Sequence, residues 1–282
     1  METSTISKEE YTAMLELHMQ GLGAGEIRDR YRWVGKDTFE ELCGHFASRV
    51  MHRVYTEIAE DEEKHAEIYC FVWYEVLKGS GDRRMLEIAR EKRMAPTHLA
   101  ELFLTAHLKQ RKGMGKEEAK AAAKDFLRNT AEMESIPGAN AIFLENLRSC
   151  VFMDTSTYAF KLGTTRKDKG NKGEVLLFQE LEYQKIPYFT EAMLRAVGEH
   201  KTPDSLLQSP ILVDGHVVNW IESKYMFGTQ VAISIIKRDQ LVPYKNRFGN
   251  GMIIFWLGYI SDIPMPEGVI ARKEMPEVFE RI

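Results

Sequence analysis

Residues 202–224 read Thr202-Pro203-Asp204-Ser205-Leu206-Leu207-Gln208-Ser209-Pro210-Ile211-Leu212-Val213-Asp214-Gly215-His216-Val217-Val218-Asn219-Trp220-Ile221-Glu222-Ser223-Lys224, two β-patterned runs on either side of an Asp-Gly pair. Asp and Gly both tolerate the positive φ angles of a type I′ turn, so the pair marks a two-residue hairpin. Period-two alternation on the second strand puts Val218, Trp220, Glu222 and Lys224 on one face, and Val217, Asn219, Ile221 and Ser223 on the other. Asp204 opens the partner strand, and pairing back through the turn sets its carboxylate beside Glu222. Two carboxylates and one ammonium are therefore expected at one end of the hairpin. Hard divalent cations take oxygen ligands and keep several waters, so this pair suits Mg2+ or Mn2+ in a site that must also hold a phosphate. A neighbouring Lys orients a water or offsets charge developing on the phosphate. The chemistry so described is phosphodiester hydrolysis. The plainer alternative is a surface hairpin with ordinary salt-bridging charges.

Around the hairpin the pattern is mixed α/β. Glu174 opens a helix carrying Val175, Leu176, Phe178, Leu181 and Glu182, residues 186–189 are extended, and residues 190–200 form a short helical insertion. Beyond the hairpin, residues 233–247 read as a helix that Pro243 kinks or interrupts. The apolar run 251–260 has the character of a strand covered on both faces. Pro264, Pro266 and Pro276 make the tail irregular. Residues 163–173 interleave Gly163, Gly170 and Gly173 with Arg166, Lys167, Lys169 and Lys172. They read as a basic linker, either simply solvated or in contact with phosphates.

Residues 1–162 read as helix after helix. Ser7-Lys8-Glu9-Glu10 is a capping box, with the Ser7 hydroxyl and the Glu10 carboxylate as reciprocal caps. Short helices over 26–33 and 37–55 follow, compatible with a helix-turn-helix unit. A second such unit is expected where residues 85–93, a break at Ala95-Pro96-Thr97 and a helix over 97–111 succeed one another. A plain helical bundle produces the same pattern. The domain division that results is 1–162 helical, 163–173 linker and 174–282 α/β, an α+β chain overall.

Composition narrows the setting. The chain has 282 residues, 28% charged and 44% hydrophobic, with a formal net charge of -4. Nucleic-acid contact would have to rest on local patches. Cys43, Cys70 and Cys150 have neither CxxC spacing nor even number, which argues against a disulfide framework or zinc knuckle and fits a reducing compartment. There is no apolar run of membrane-span length and no leader pattern, so a soluble intracellular protein is expected. His45, His52 and His65 lie on helical segments without convergent ligands, and His216 is either a surface residue or a phosphate neighbour.

A leading Glu, a Pro-Asp, a Glu-x-Lys 18 positions later, then a helix and a strand resemble the PD-(D/E)XK nucleases of restriction-endonuclease-like fold. More narrowly, Lys201-Thr202-Pro203-Asp204, Gly215-His216, Trp220-Ile221-Glu222-Ser223-Lys224, Phe227-Gly228 and Asn246-Arg247-Phe248-Gly249 resemble the family named after its Thr-Pro-Asp motif. The resemblance implies a Mg2+-dependent nuclease, with DNA as the expected nucleic acid. It implies Asp204, Glu222, the Ser223 carbonyl and Glu174 as metal ligands, and Lys224 as the catalytic lysine. Gln240 and Tyr244 stand four apart on one helix face and resemble an accessory motif of RecB-like nucleases. The family pattern carries an acid after Phe227-Gly228, where this chain has Thr229. It further implies helix-turn-helix units, a codanin-like protein partner and placement in the nucleus or cytoplasm. The alternative function is a nuclease-fold binding partner in a codanin-like chromatin-assembly complex.

Overall fold

The structure is a computed structural model and describes residues 3–78, 81, 83–154 and 166–282; the side chains of residues 166–171 lie outside the description. A two-residue strand β1 (Thr5–Ile6) leads into α1 (Lys8–Met19). The expected capping box is present: the Ser7 hydroxyl accepts from the Glu10 N–H at 3.1 Å, and the Glu10 carboxylate accepts from the Ser7 N–H at 2.7 Å. α2 (Ala24–Arg30) and α3 (Lys36–Glu60) follow, and α3 has 25 residues in place of the short helix expected there. Next come α4 (Glu62–Leu77), α5 (Arg84–Glu91), α6 (Pro96–Lys112), α7 (Lys116–Arg128), a 3-10 turn (Thr130–Ser135) and α8 (Ala141–Met153).

Packing divides the chain into two compact units, residues 44–165, and residues 1–43 together with 166–282. The first 43 residues therefore pack with the sheet, although composition places them in the helical half. In the helical unit Val72, Met85, Ile88, Leu99, Phe103, Phe143 and Leu147 share one core. α6 runs through its centre, with every residue from Thr97 to Leu108 buried. A recognition helix must offer a face to a groove, and α6 has none over these residues. The expected helix-turn-helix unit around Pro96 is thus corrected to the centre of a bundle. Two acids taken inside have hydrogen-bond partners, as burial requires. Asp154 accepts from the Thr97 N–H at 3.0 Å at the start of α6, and Glu101 accepts from the Tyr55 hydroxyl at 2.6 Å.

In the other unit α9 (Arg166–Tyr183) begins well before Glu174. The expected linker over 163–173 is corrected accordingly: from Arg166 onward it is helix, and residues 163–165 lie outside the described residues. β2 (Tyr188–Thr190) and α10 (Glu191–Ala196) precede the hairpin β3 (Ser205–Val213) and β4 (His216–Lys224). Then come α11 (Gln230–Ile236), a π-helical turn (Lys237–Leu241), α12 (Val242–Phe248), β5 (Gly251–Phe255), β6 (Tyr259–Ile260), β7 (Val269–Arg272) and β8 (Glu280–Arg281). The main sheet has the order β2-β3-β4-β5-β7, with β8 beside β3. It is mixed: β2, β3 and β4 pair antiparallel, while β4, β5 and β7 pair parallel. The chain is thus a mixed α+β structure. The strand expected over 251–260 is shorter: β5 is buried along its whole length but ends at Phe255, and Tyr259–Ile260 form the separate strand β6.

The hairpin turns at Asp214 and Gly215 with φ of 50° and 78°, the left-handed geometry the Asp-Gly pair predicts. Its register is broken midway. Leu206 faces Trp220 and Ile211 faces Val218, so five steps on β3 oppose two on β4. Such a bulge bends the ribbon, and the Asp214 carboxylate pairs with Arg272 at the end of β7. It also corrects the simple alternation expected on β4. Val218 packs with Ile221 against Leu177 and Leu181 of α9, while Trp220 packs on the opposite cluster with Ile233, Leu241 and Tyr244.

Pro243 acts as expected on its helix. Its ring would meet the carbonyl four residues back and it brings no N–H, and the chain opens into a wider turn in which the Val242 N–H bonds to the Lys237 carbonyl five residues back. The N-terminal segment seats on the same unit: β1 pairs parallel with β6, and Tyr11 stacks on Phe227 at 6.3 Å between ring centroids. No helix among the described residues is long and apolar enough to cross a membrane.

Candidate active site

Antiparallel pairing carries Asp204, at the mouth of β3, back to the end of β4. The Asp204 N–H donates to a Glu222 carboxylate oxygen at 3.3 Å, and the Asp204 carboxylate accepts from the Ser223 N–H at 2.7 Å. Lys224 bonds to the other oxygen of Glu222. The π-turn brings in a further donor, because Gln240 donates to that oxygen at 2.8 Å and lies 3.3 Å from the Tyr244 hydroxyl. Tyr244 is held by an edge-on contact with Trp220, whose indole N–H donates to the Gly249 carbonyl at 2.8 Å. Trp220 is therefore a packing residue. Ser223 turns its hydroxyl the other way, accepting from the Trp256 indole at 2.8 Å.

The electrostatics follow from burial. Glu222 is 1% exposed. Loss of water pushes the Asp204 carboxyl well above the usual carboxylate range, and the charge of Glu222 pushes it further. Lys224 and the Ser223 N–H oppose this, and Glu174 adds to it. Burial raises Glu222 as well, with Lys224 holding it back and Glu191 adding to the rise. For Lys224, burial alone would lower the pKa, but the charges of Glu222 and Asp204 outweigh it and raise it. One ammonium thus serves two desolvated acids that repel each other.

Of the residues singled out from sequence, Asp204, Glu222, Ser223, Lys224, Gln240 and Tyr244 are joined by the bonds just described. Glu174, on α9, is close enough for its charge to act on Asp204 and Lys224. Lys172 is engaged locally: its ammonium donates to the Tyr225 hydroxyl at 2.6 Å and lies 4.1 Å from that ring's centroid. The side chains of Arg166, Lys167 and Lys169 lie outside the described residues. His216 opens β4, at the far end of the strand from Lys224. Glu191 is a participant the sequence does not mark. It accepts from Arg195 at 2.6 Å, lies 3.5 Å from the Thr202 hydroxyl, and its charge acts on Glu222 and Tyr244. Thr229 caps α11, its hydroxyl accepting from the Ala232 N–H at 3.3 Å. Thr and Asp are both good N-caps, so Thr in place of an acid keeps a structural bond at this position.

Among the described residues no three His, Cys, Asp or Glu side chains form a ready-made metal cage. The donor set at this end of β4 is two carboxylates, which fits a cation that retains several waters.

A family model described as "Protein of unknown function TPD sequence-motif" matches residues 140–275. The chain is 32% identical over 198 residues to CDAN1-interacting nuclease 1 of Xenopus laevis, covering 68% of this chain and 62% of that protein. It is 31% identical over 188 residues to the Homo sapiens protein of the same name, covering 67% and 64%. With the Danio rerio protein identity is 30% over 213 residues, covering 73% and 68%. The chain thus spans less than two thirds of the frog and human proteins' length. No solved structure matches it. The matched stretch contains Thr202-Pro203-Asp204 and all of β4, and the chain belongs to the TPD sequence-motif family together with the proteins called CDAN1-interacting nuclease 1.

Proposed function

We propose that this chain is a Mg2+- or Mn2+-dependent nuclease of PD-(D/E)XK architecture that hydrolyses phosphodiester bonds, with DNA as the preferred nucleic acid. The observation that carries the reading is the pair Asp204 and Glu222, desolvated side by side with one lysine between them. A fold gains no stability from crowding two desolvated acids; a dication relieves their repulsion. Asp204 and Glu222 would hold the ion, with Glu174 and the Ser223 carbonyl completing its protein ligands. A bound divalent cation supplies a water of lowered pKa and polarises the phosphate. The Ser223 N–H fixes the orientation of Asp204, and Gln240 fixes that of Glu222. Lys224, charged at neutral pH, places its N–H donors where charge develops on the phosphate or orients the attacking water. The exposed Lys172, with Arg166, Lys167 and Lys169 just before it in sequence, would contact nucleic acid, whereas Tyr244, packed on Trp220, would hold Gln240 in place. The mixed sheet with α9 on one face and α11 and α12 on the other is the arrangement expected of this architecture.

The test is cleavage of labelled single-stranded, duplex, flap and four-way-junction DNA and RNA, with wild type and Asp204→Ala side by side. Metal-dependent cutting lost in the mutant supports the reading. Cutting that persists in Asp204→Ala or Lys224→Ala, or a folded wild type that cuts nothing, rejects it.

The printed name of the relatives favours a second role, binding of a codanin-like protein partner. Capture of such a partner by a protein carrying Asp204→Ala, Glu222→Ala and Lys224→Ala together would separate that role from catalysis.

A further inference from the structure

The helix that carries Glu174 meets the site through one residue. A Cβ built on Gly173 would lie 3.0 Å from the Ser223 hydroxyl oxygen, 3.2 Å from the Tyr225 nitrogen and 3.4 Å from the Tyr225 Cβ. A side chain fits at such separations only if a neighbour gives by a few tenths of an ångström, so α9 rests its backbone closely on the end of β4. The atoms it rests on are not free to yield. The Ser223 hydroxyl is held by the Trp256 indole at 2.8 Å, and the Ser223 N–H is held by Asp204 at 2.7 Å. The Trp256 N–H in turn bonds to the Lys224 carbonyl at 3.1 Å. On the other side of the contact, Lys172 clasps Tyr225 through its hydroxyl and its ring, which fixes the rotation of the helix over the strand. Lys172, Gly173 and Glu174 are consecutive, and they abut Ser223, Lys224 and Tyr225, also consecutive. Glu174 follows directly on this seating, and its charge acts on Asp204 and Lys224.

We propose that Gly173 is a positioning residue for the metal site: its missing side chain, with the Lys172–Tyr225 clasp, sets the distance at which Glu174 approaches Asp204 and Lys224. The inference rests on the nuclease reading and deepens it. A methyl group at position 173 must push α9 outward by a few tenths of an ångström, and Glu174 moves with it. Outer-shell changes of this kind typically weaken metal binding by about 10- to 100-fold.

The experiment is calorimetric titration of the full chain with Mn2+, without nucleic acid, for wild type, Gly173→Ala, Glu174→Gln and the double variant, each checked for folding by its melting curve. The expected result is that Gly173→Ala weakens Mn2+ binding by about tenfold in the presence of Glu174 and has no further effect once Glu174→Gln is in place. A general loosening of the fold would instead add equally in both backgrounds, and that outcome, or unchanged affinity of Gly173→Ala, overturns the proposal while leaving the site reading intact. Wild type that binds no Mn2+ overturns both. Should Gly173→Ala not fold, Lys172→Met loosens the clasp without adding bulk at the contact. The expected result for it is a smaller loss of Mn2+ affinity that again disappears with Glu174→Gln, and equal loss in both backgrounds rejects the proposal.

Discussion

Glu101 in the helical unit and Glu222 in the sheet unit are equally buried, at 1% exposure each, but their neighbours differ in kind. Glu101 accepts the Tyr55 hydroxyl at 2.6 Å and has the Lys124 ammonium at 3.9 Å. Glu222 also has a lysine and a neutral donor, but a second carboxylate shares its pocket, and Glu191 and Glu174 add their fields to the pair. Asp154 and Asp204 repeat the contrast. Asp154 accepts from the Thr97 N–H at the start of α6, whereas the bond Asp204 receives from Ser223 does not bring its pKa back to the usual range. A buried acid supplied with its own donors holds elements together. Two desolvated acids dividing one cation leave room for another positive charge.

The largest effect expected from this contrast belongs to Asp204→Asn. It should lower cleavage by roughly a hundredfold to a thousandfold or more, and at the same time raise the melting temperature of the metal-free protein. The sign follows from the raised pKa of Asp204. The folded state binds its proton more tightly than the unfolded chain, so stability is fullest below the unfolded value of 3.8 and is lost as pH rises through the folded value. Melting curves of metal-free wild type and Asp204→Asn should therefore diverge as pH rises from 3.8 through the folded value and stay apart above it, with the variant the more stable. Curves that stay parallel would remove the repulsion on which the comparison depends.

Tyr55→Phe sharpens the other side. Withdrawing a donor from buried Glu101 should cost about 1–3 kcal/mol in denaturant unfolding and leave Mn2+ affinity unchanged. Gln240→Ala lies between the two kinds, since it removes the amide that orients Glu222. It should reduce turnover roughly tenfold, with a steady-state assay separating turnover from substrate binding. Thr229→Ala is the smallest change, a lost cap on α11 worth about 1 kcal/mol in thermal unfolding, while Thr229→Asp should hold both stability and cleavage.

Much of this arrangement is legible in the chain itself because its signals are local. The Asp214-Gly215 turn needs only two residues that accept positive φ, and β-strand periodicity then sends Glu222 and Lys224 to one side. The capping box at Ser7 and Glu10, the interruption at Pro243 and the buried strand β5 depend likewise on a few neighbouring residues. The misreadings come where local signals are silent about distant partners. The glycines at 163, 170 and 173 have poor helical credentials, yet from Arg166 the segment is helix, because α9 gains its stability by packing Leu177 and Leu181 on the sheet. The apolar stripe of residues 97–108 is compatible with a recognition helix until the whole bundle closes around it.

The sequence alone determined the hairpin, the placing of Asp204, Glu222 and Lys224 at one end of it, and the helix that brings Gln240 and Tyr244 together, since all of these follow from turn chemistry and backbone periodicity. Tertiary structure decided what surrounds that end: the bulge that turns Val218 away from Trp220, the approach of Glu191, the seating of Gly173 on Ser223 and Tyr225, and the attachment of residues 1–43 to the sheet. These depend on which surfaces meet when apolar area is removed from water. No short stretch of residues encodes them.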